Sequence, residues 1–137
     1  MIAAARARLP RRRNVHFATG DMHGLPFADA RFDEVALLNV LAYSEEPPRA
    51  LAEAARVLRP RGSLVVLTLN AHSHAAVAAP YGHVRAGFSP RDLAHALRDA
   101  RLHVDRSDVV ARERRAPHFE VVLAVATKRP ATSRKES

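Results

Sequence analysis

The sequence has no cysteine, few aromatic residues and no long apolar run. The lack of cysteine excludes disulfides and cysteine-ligated metal sites. Aromatic residues make up 5% of the 137 positions, so few platforms exist on which single-stranded nucleic acid could stack. No apolar run approaches the roughly 20 residues of a membrane-spanning helix. The arginine-rich start also lacks the serine content and cleavage-type segment of a transit peptide. We therefore expect a soluble, cytoplasmic protein.

Positive charge is in excess, with 22 Lys and Arg against 14 Asp and Glu and a net charge of +8. Such a surplus can indicate a nucleic-acid partner. Apart from Arg11–Arg13 and the tail, however, the basic residues are dispersed, and nearly all are arginine in a chain rich in alanine. This pattern is typical of a GC-rich coding bias. The distribution therefore argues against a nucleic-acid partner. The alternative function is a non-catalytic binding module or remnant with a basic surface, for nucleic acid or a protein.

The chain is organised around a strand, a polar loop and a second strand. Val15–Ala18 predicts the first strand, and Glu34–Leu38 predicts a second that is buried on both faces, as in a parallel sheet. Asp21 and Asn39 then follow the carboxyl ends of these strands, where open parallel sheets bind ligands. A carboxylate there can accept from an exocyclic amine while the next backbone N–H donates to a ring nitrogen. That chemistry suits adenine.

The remaining elements follow from periodicity and capping signals, and they support one domain that buries roughly two-thirds of its unfolded surface. Ser89, Pro90 and Asp92 have the spacing of a helix N-terminus. The predicted helices begin at Met1, Pro47 and Pro90, and further strands cover Ser63–Leu69, Leu102–Arg112 and Phe119–Thr127. We expect the domain to span residues 1–128 and residues 129–137 to form a basic disordered tail.

Four segments in this order resemble the class I S-adenosylmethionine (SAM)-dependent methyltransferases, in the branch typified by the ubiquinone and menaquinone methyltransferases (methyltransferase type 11). They are GDMHGLPF (20–27), FDEVALLNVLAY (32–43), ALAEAARVLRPRGSLVVLT (50–68) and GFSPRDLAHALRDARL (87–102). The resemblance implies an α/β, truncated Rossmann-like fold of about five strands, mostly parallel with an antiparallel C-terminal edge pair. It implies SAM-dependent methyl transfer to a small-molecule acceptor.

The same resemblance assigns the candidate site residues. Gly20, Asp21, Met22, Asn39 and Val40 correspond to cofactor-binding positions, with Asp21 and Met22 at the adenine and Asn39 near the methionine end. Tyr43 and Tyr81 correspond to acceptor-binding positions. No catalytic residue is predicted, because methyl transfer from a sulfonium requires mainly proximity and alignment.

Two other kinds of site are not predicted. His72, His74 and His83 lie close together in the irregular 70–88 segment, but no carboxylate accompanies them, and an acceptor-binding lid is preferred to a metal site. A Ser/His/Asp arrangement with a nucleophile motif is not found either.

The sequence departs from the family at several glycines. None of the five glycines has G-x-G spacing, so the N-terminal glycine-rich cofactor loop is lacking and Met1 resembles an internal position of a longer ancestor. We therefore expect an incomplete cofactor pocket, weak or no activity alone, and a strand at Val15 that moves to the edge of the Val35 strand. A second chain supplying the missing strands is a possible partner.

Arginine replaces two further family glycines, at Arg61 and Arg101. The first change is mild if Arg61 avoids a positive φ angle. The second predicts a helix that runs longer or ends less sharply.

Overall fold

The computed structural model describes residues 18–71, 87–116 and 118–130. They form a four-stranded mixed sheet and two α-helices. In chain order the elements are β1 (Phe32–Leu38), a short 3-10 helix (Leu41–Tyr43), α1 (Pro47–Val57), β2 (Leu58–Leu69), α2 (Pro90–Asp99), β3 (Leu102–Arg112) and β4 (Glu120–Lys128). The predictions for Met1–Leu9, Val15–Phe17, Tyr81, the three histidines between 72 and 83 and the last seven residues lie outside the described residues.

The strand order is β1-β2-β4-β3. β1 pairs with β2 in parallel, whereas β4 runs antiparallel to both β2 and β3. The predicted α/β class and the antiparallel C-terminal pair are confirmed, with β3 at the sheet edge. The parallel part is smaller than the predicted mostly parallel sheet, since the described strands number four and only β1 and β2 run in the same direction.

One face of the sheet forms the core with both helices. Its strand residues alternate with more exposed ones, as the period of two in a strand requires. This face contributes Leu64 and Val66 from β2 and Val122, Ala124 and Ala126 from β4, all fully buried, and the helices contribute Leu51, Ala54, Leu93 and Leu97. Complete removal of these side chains from water stabilises the fold by about 25 cal/mol per Å² of apolar surface.

The opposite face is only partly covered by the described residues. Val65 and Leu67 are half-buried there, and Leu38 at the end of β1 is 57% exposed. The apolar runs of β1 and β2 predicted burial on both faces, but within the described ranges only one face is packed against helices. The prediction therefore holds for one face of these strands.

The arginines at the two family glycine positions have left-handed backbone. Arg61 has φ +69° and Arg101 has φ +66°, so the condition under which the change at Arg61 would be mild is not met. α2 still ends at Asp99, followed by Arg101 N–H donating to Arg98 O at 2.8 Å, so the helix does not run longer. The fold keeps a glycine-like backbone at both positions, at a cost of about 1–2 kcal/mol each.

Polar groups complete the helix ends. The predicted cap of α2 is confirmed, since Ser89 Oγ accepts from Asp92 N–H at 3.0 Å. Where α1 meets β2, Lys128 Nζ donates to Ala55 O and Leu58 O at 2.8 and 2.7 Å, which places a cation at the C-terminus of the helix. No helix in the described ranges is long and apolar enough to cross a membrane.

Candidate functional site

A polar clamp on α1 holds the loop that carries Asp21. Arg56 Nη1 donates to Phe27 O at 2.8 Å and Nη2 donates to Leu25 O at 3.0 Å. Glu53 Oε1 accepts from Leu25 N–H at 2.7 Å. One backbone N–H and two carbonyl oxygens of the loop are thus hydrogen-bonded to the same helix. Arg56 also contacts Asp29 Oδ1 at 2.6 Å. The loop therefore has a defined position beside α1.

The clamp residues also bind each other. Arg56 Nε donates to Glu53 Oε2 at 2.7 Å, one helical turn apart. This bond lowers the pKa of Glu53, assisted by Leu25 N–H and opposed by desolvation, while Glu53 and then Asp29 raise the pKa of Arg56. Both groups are therefore charged at neutral pH.

Gly20 permits a close approach within the same loop. A Cβ atom at this position would lie 2.8 Å from Pro26 Cδ, closer than real Cβ contacts allow. The loop then turns, with Gly24 N–H donating to Asp21 O at 3.0 Å. Gly20 is needed here for the shape of the loop, whatever its role toward a ligand.

Asp21, His23 and Ser44 form a hydrogen-bonded line. His23 Nδ1 is 2.7 Å from Asp21 Oδ1, and His23 Nε2 is 2.6 Å from Ser44 Oγ. The His23 backbone N–H also donates to Asp21 Oδ1, at 2.8 Å. His23 and Ser44 are 21 positions apart, and no nucleophile motif in the sequence marks this arrangement. Ser44 is fully buried and accepts from Glu46 N–H at 3.1 Å, so the line is not built for nucleophilic attack.

The line keeps Asp21 ionised. First the backbone N–H and then the ring of His23 lower the pKa of the Asp21 carboxyl, and the charge of Arg49 adds to this effect. Both His23 donors meet Oδ1, so Oδ2 is the oxygen on which a ligand donor would find an acceptor. The Asp21 side chain is 72% exposed and accessible to such a ligand.

An open cavity of about 440 Å³ adjoins this carboxylate. Its lining includes Asp21, His23, Tyr43, Glu45, Glu46 and Arg49. Arg49 Nε donates to His23 O at 3.0 Å, which connects the start of α1 to the loop. The cavity therefore lies between the Asp21 loop and the segment that follows β1.

The structure brings together two of the predicted site residues, Asp21 and Tyr43, at this cavity. Met22 is half-buried against the core. Asn39 has φ +57° and its N–H donates to Leu67 O at 2.8 Å, which places it at the end of β1. Neither Asn39 nor its neighbour Val40 lines the cavity. Tyr81 lies outside the described residues.

Several site residues were missed from the sequence. The Glu53–Arg56 spacing of three residues on a helix is a local signal that could have indicated the ion pair. The bond from His23 N–H to Asp21 Oδ1 spans two positions and has the local form of an Asx turn. Ser44 and Arg49 gave no local signal, because their contacts with His23 span more than 20 positions.

Other ligand classes have less support in the described part of the chain. No group of three His, Cys, Asp or Glu side chains there is arranged to hold a metal. Several basic side chains are engaged by acids, with Arg59 at 3.0 Å from Asp33 and Arg106 at 2.9 Å from Asp108. Asp33, at the start of β1, thus takes part in a surface ion pair. These pairs reduce the positive surface that could face nucleic acid.

Comparison with known proteins finds a similar family model and similar curated proteins. Residues 1–66 match a family model described as a methyltransferase domain. This match covers just under half of the chain. Demethylmenaquinone methyltransferase of Renibacterium salmoninarum is 48% identical over 56 residues, which are 41% of this chain and 24% of that protein. The matched segment thus spans about a quarter of this curated relative.

Solved structures share the methyltransferase fold over most of the chain. One is the complex between the Haloferax volcanii Trm112 methyltransferase activator and a methyltransferase, with a TM-score of 0.77, 23% identity, and coverage of 97% of this chain and 69% of that one. Another is the trans-methyltransferase CalH in complex with SAH, with a TM-score of 0.72, 17% identity, and coverage of 92% and 39%. At these identities the likeness concerns the fold.

Proposed function

We propose that this chain provides the adenine side of a SAM site in an enzyme that methylates a small molecule. The observation that carries the proposal is the Asp21 carboxylate, held ionised at the rim of an open cavity next to the segment that follows β1. The family match and the SAH complex of a protein with the same fold support it.

The residues present fit the adenine end of such a cofactor. Asp21 Oδ2 can accept from the exocyclic amine, and the Met22 N–H is the neighbouring donor for a ring nitrogen. Gly20 keeps this loop tightly turned, since a side chain there would collide with Pro26. In the proposed site Asn39 and Val40, at the end of β1, face the methionine end. Tyr43, 45% exposed at the cavity, and Tyr81 contact the acceptor.

SAM supplies an activated methyl group on a sulfonium when bound. The protein's part is to bind and align the two reactants and to exclude water. Proximity and alignment can remove a large share of the activation barrier in such transfers. For this reason we assign no side chain a catalytic role. The acceptor is proposed to be a small molecule, as the name of the menaquinone-pathway relative suggests for that protein.

The methionine side of the pocket needs a glycine-rich loop that this sequence does not contain. We propose that a preceding segment or a second chain supplies that loop with its strands, and that the chain alone is weak or inactive. Residues 1–128 would then be a partial domain in the cytoplasm, with residues 129–137 as a basic tail. The activator complex from Haloferax volcanii is an example of a two-chain arrangement in a protein of this fold.

The test is a titration of the chain with adenosine and with SAH, followed by backbone amide NMR. We expect shifts at residues 20–24 and 43–46 and a Kd on the order of 1 mM, or about −4 kcal/mol. Asp21→Asn should weaken binding, and Asp33→Asn, which alters another exposed carboxylate, should not. Absence of these shifts would overturn the adenine site. A micromolar Kd for SAH would instead overturn the incomplete pocket.

A further inference from the structure

His23 is held at both ring nitrogens and at its backbone. The ionised Asp21 carboxylate can only accept, so the ring nitrogen that faces it must donate, and Nε2 of a neutral ring accepts from the Ser44 hydroxyl at 2.6 Å. The neutral ring must then carry its proton on Nδ1, from which it donates to Asp21 Oδ1 at 2.7 Å. The structure thus selects one tautomer of His23.

This engagement argues against His23 as the base that deprotonates an acceptor. A general base needs a nitrogen lone pair within reach of the proton that it removes. The Nδ1 of His23 faces a carboxylate, and its Nε2 faces a buried serine. The ring is instead placed to act on Asp21.

We propose that His23 is a positioning residue, which fixes the Asp21 carboxylate so that its second oxygen meets the exocyclic amine of adenine. The inference rests on the proposed function and deepens it. The Asp21 side chain is 72% exposed and would otherwise sample several rotamers. Two donors from His23 on one oxygen restrict that motion before the ligand arrives, and such pre-organisation improves affinity by reducing the ordering cost of binding.

The anchor of this device lies outside the Asp21 loop. Ser44 follows the 3-10 helix and is fully buried, so it gives the imidazole a rigid reference point. Arg49 Nε also bonds the His23 carbonyl oxygen at 3.0 Å. The orientation of the Asp21 carboxylate is therefore coupled to the segment that contains Tyr43, which is proposed to contact the methyl acceptor.

The test compares adenosine with purine riboside, which lacks only the exocyclic amine, by NMR titration of the full chain. Wild type should bind adenosine about tenfold more tightly, about the effect of one charge-assisted hydrogen bond. His23→Gln, whose amide reaches toward Ser44 rather than Asp21, should lose most of this preference. His23→Asn keeps a donor near the position of Nδ1 and should retain most of it.

A second variant and a spectroscopic signature separate positioning from simple damage. Ser44→Ala removes the hydroxyl that bonds His23 Nε2 and leaves the His23 side chain unchanged. We expect this variant to prefer adenosine over purine riboside less than wild type and more than His23→Gln. The ring nitrogen shifts of His23 should report the Nδ1–H tautomer in wild type and a mixture in Ser44→Ala. The Nε2–H tautomer in wild type would overturn the inference.

The possible failures are distinguishable. If wild type shows no preference for adenosine, the proposed adenine site is wrong and the inference falls with it. If wild type shows the preference and His23→Gln and Ser44→Ala keep it, the adenine site stands and the role of His23 is overturned.

Discussion

The Asp21 loop and the helix-covered core are held by different kinds of contact. The core consists of side chains such as Leu51, Leu64 and Leu97, which are completely buried and non-directional in their packing. The loop depends on Arg56 and Glu53, whose hydrogen bonds to its backbone are directional and partly exposed to solvent. Folding energy is concentrated in the first region and site geometry in the second. The two should therefore respond to mutation separately.

The largest effect is expected in the core. Leu97→Ala should lower the free energy of unfolding by about 2–5 kcal/mol, because it leaves a cavity between α2 and the sheet. Urea denaturation measures this loss. Val109→Ala, at a position that is 40% exposed, is the matched control and should change stability far less. Equal losses in the two variants would contradict the location of the core.

Arg56→Met should break the clamp while keeping the aliphatic stem. It removes bonds to two loop carbonyls and leaves the Glu53 carboxylate without its main partner. We expect a loss of about 2 kcal/mol and faster amide exchange at residues 22–27, with little change in exchange on β2 and β4. Arg59→Met removes an exposed ion pair with Asp33 and should cost less than about 1 kcal/mol. Uniformly faster exchange would show that the loop and core are one unit.

Lowering the pH should weaken the Glu53–Arg56 clamp before it affects the core. The loss of stability should be smaller than in Arg56→Met, because Arg56 keeps its bonds to the loop carbonyls. The pKa of Glu53 is lowered in the folded state, so its stabilisation is present above its ordinary value of 4.5 and lost as pH falls through the lower folded value. Asp21, whose pKa is lowered by His23, has the same sign. Protection of the Leu25 amide, taken relative to its intrinsic exchange rate at each pH, should fall in wild type as pH drops below 4.5, and Glu53→Gln should show no such fall.

The smallest effect is expected at Arg61, near the start of β2, where the backbone is left-handed. Arg61→Gly should raise the unfolding free energy by about 0.5 kcal/mol, since glycine tolerates φ +69° but loses more backbone entropy on folding. Thermal unfolding measures the change. Arg112→Gly, in the extended backbone of β3, should destabilise the protein. A loss of stability in Arg61→Gly would mean that contacts of this side chain outweigh the backbone cost.

Predictions from local patterns were more accurate than those from distant contacts. The helix at Pro90 and its bond from Ser89 to Asp92 followed from capping rules, and the bounds Leu102–Arg112 of β3 agree with the prediction. These features depend on residues within a few positions of one another.

The candidate site illustrates the limit. Asp21 was singled out because it follows a strand, yet what holds it depends on Ser44 and on α1. No periodicity encodes a contact between residues 21 positions apart. Arg61 shows the same limit in the backbone, because side-chain propensity disfavoured the left-handed conformation that the turn imposes.

The place of β4 in the sheet has a consequence for synthesis on the ribosome. The last strand of the described chain is inserted between β2 and β3, so both have an unpaired edge until it emerges. The roughly 60 residues from the end of β2 to the end of β4 take about 3 to 12 seconds at about 5–20 residues per second. During that interval the nascent chain exposes apolar strand edges, and a premature stop before Glu120 would leave them exposed permanently.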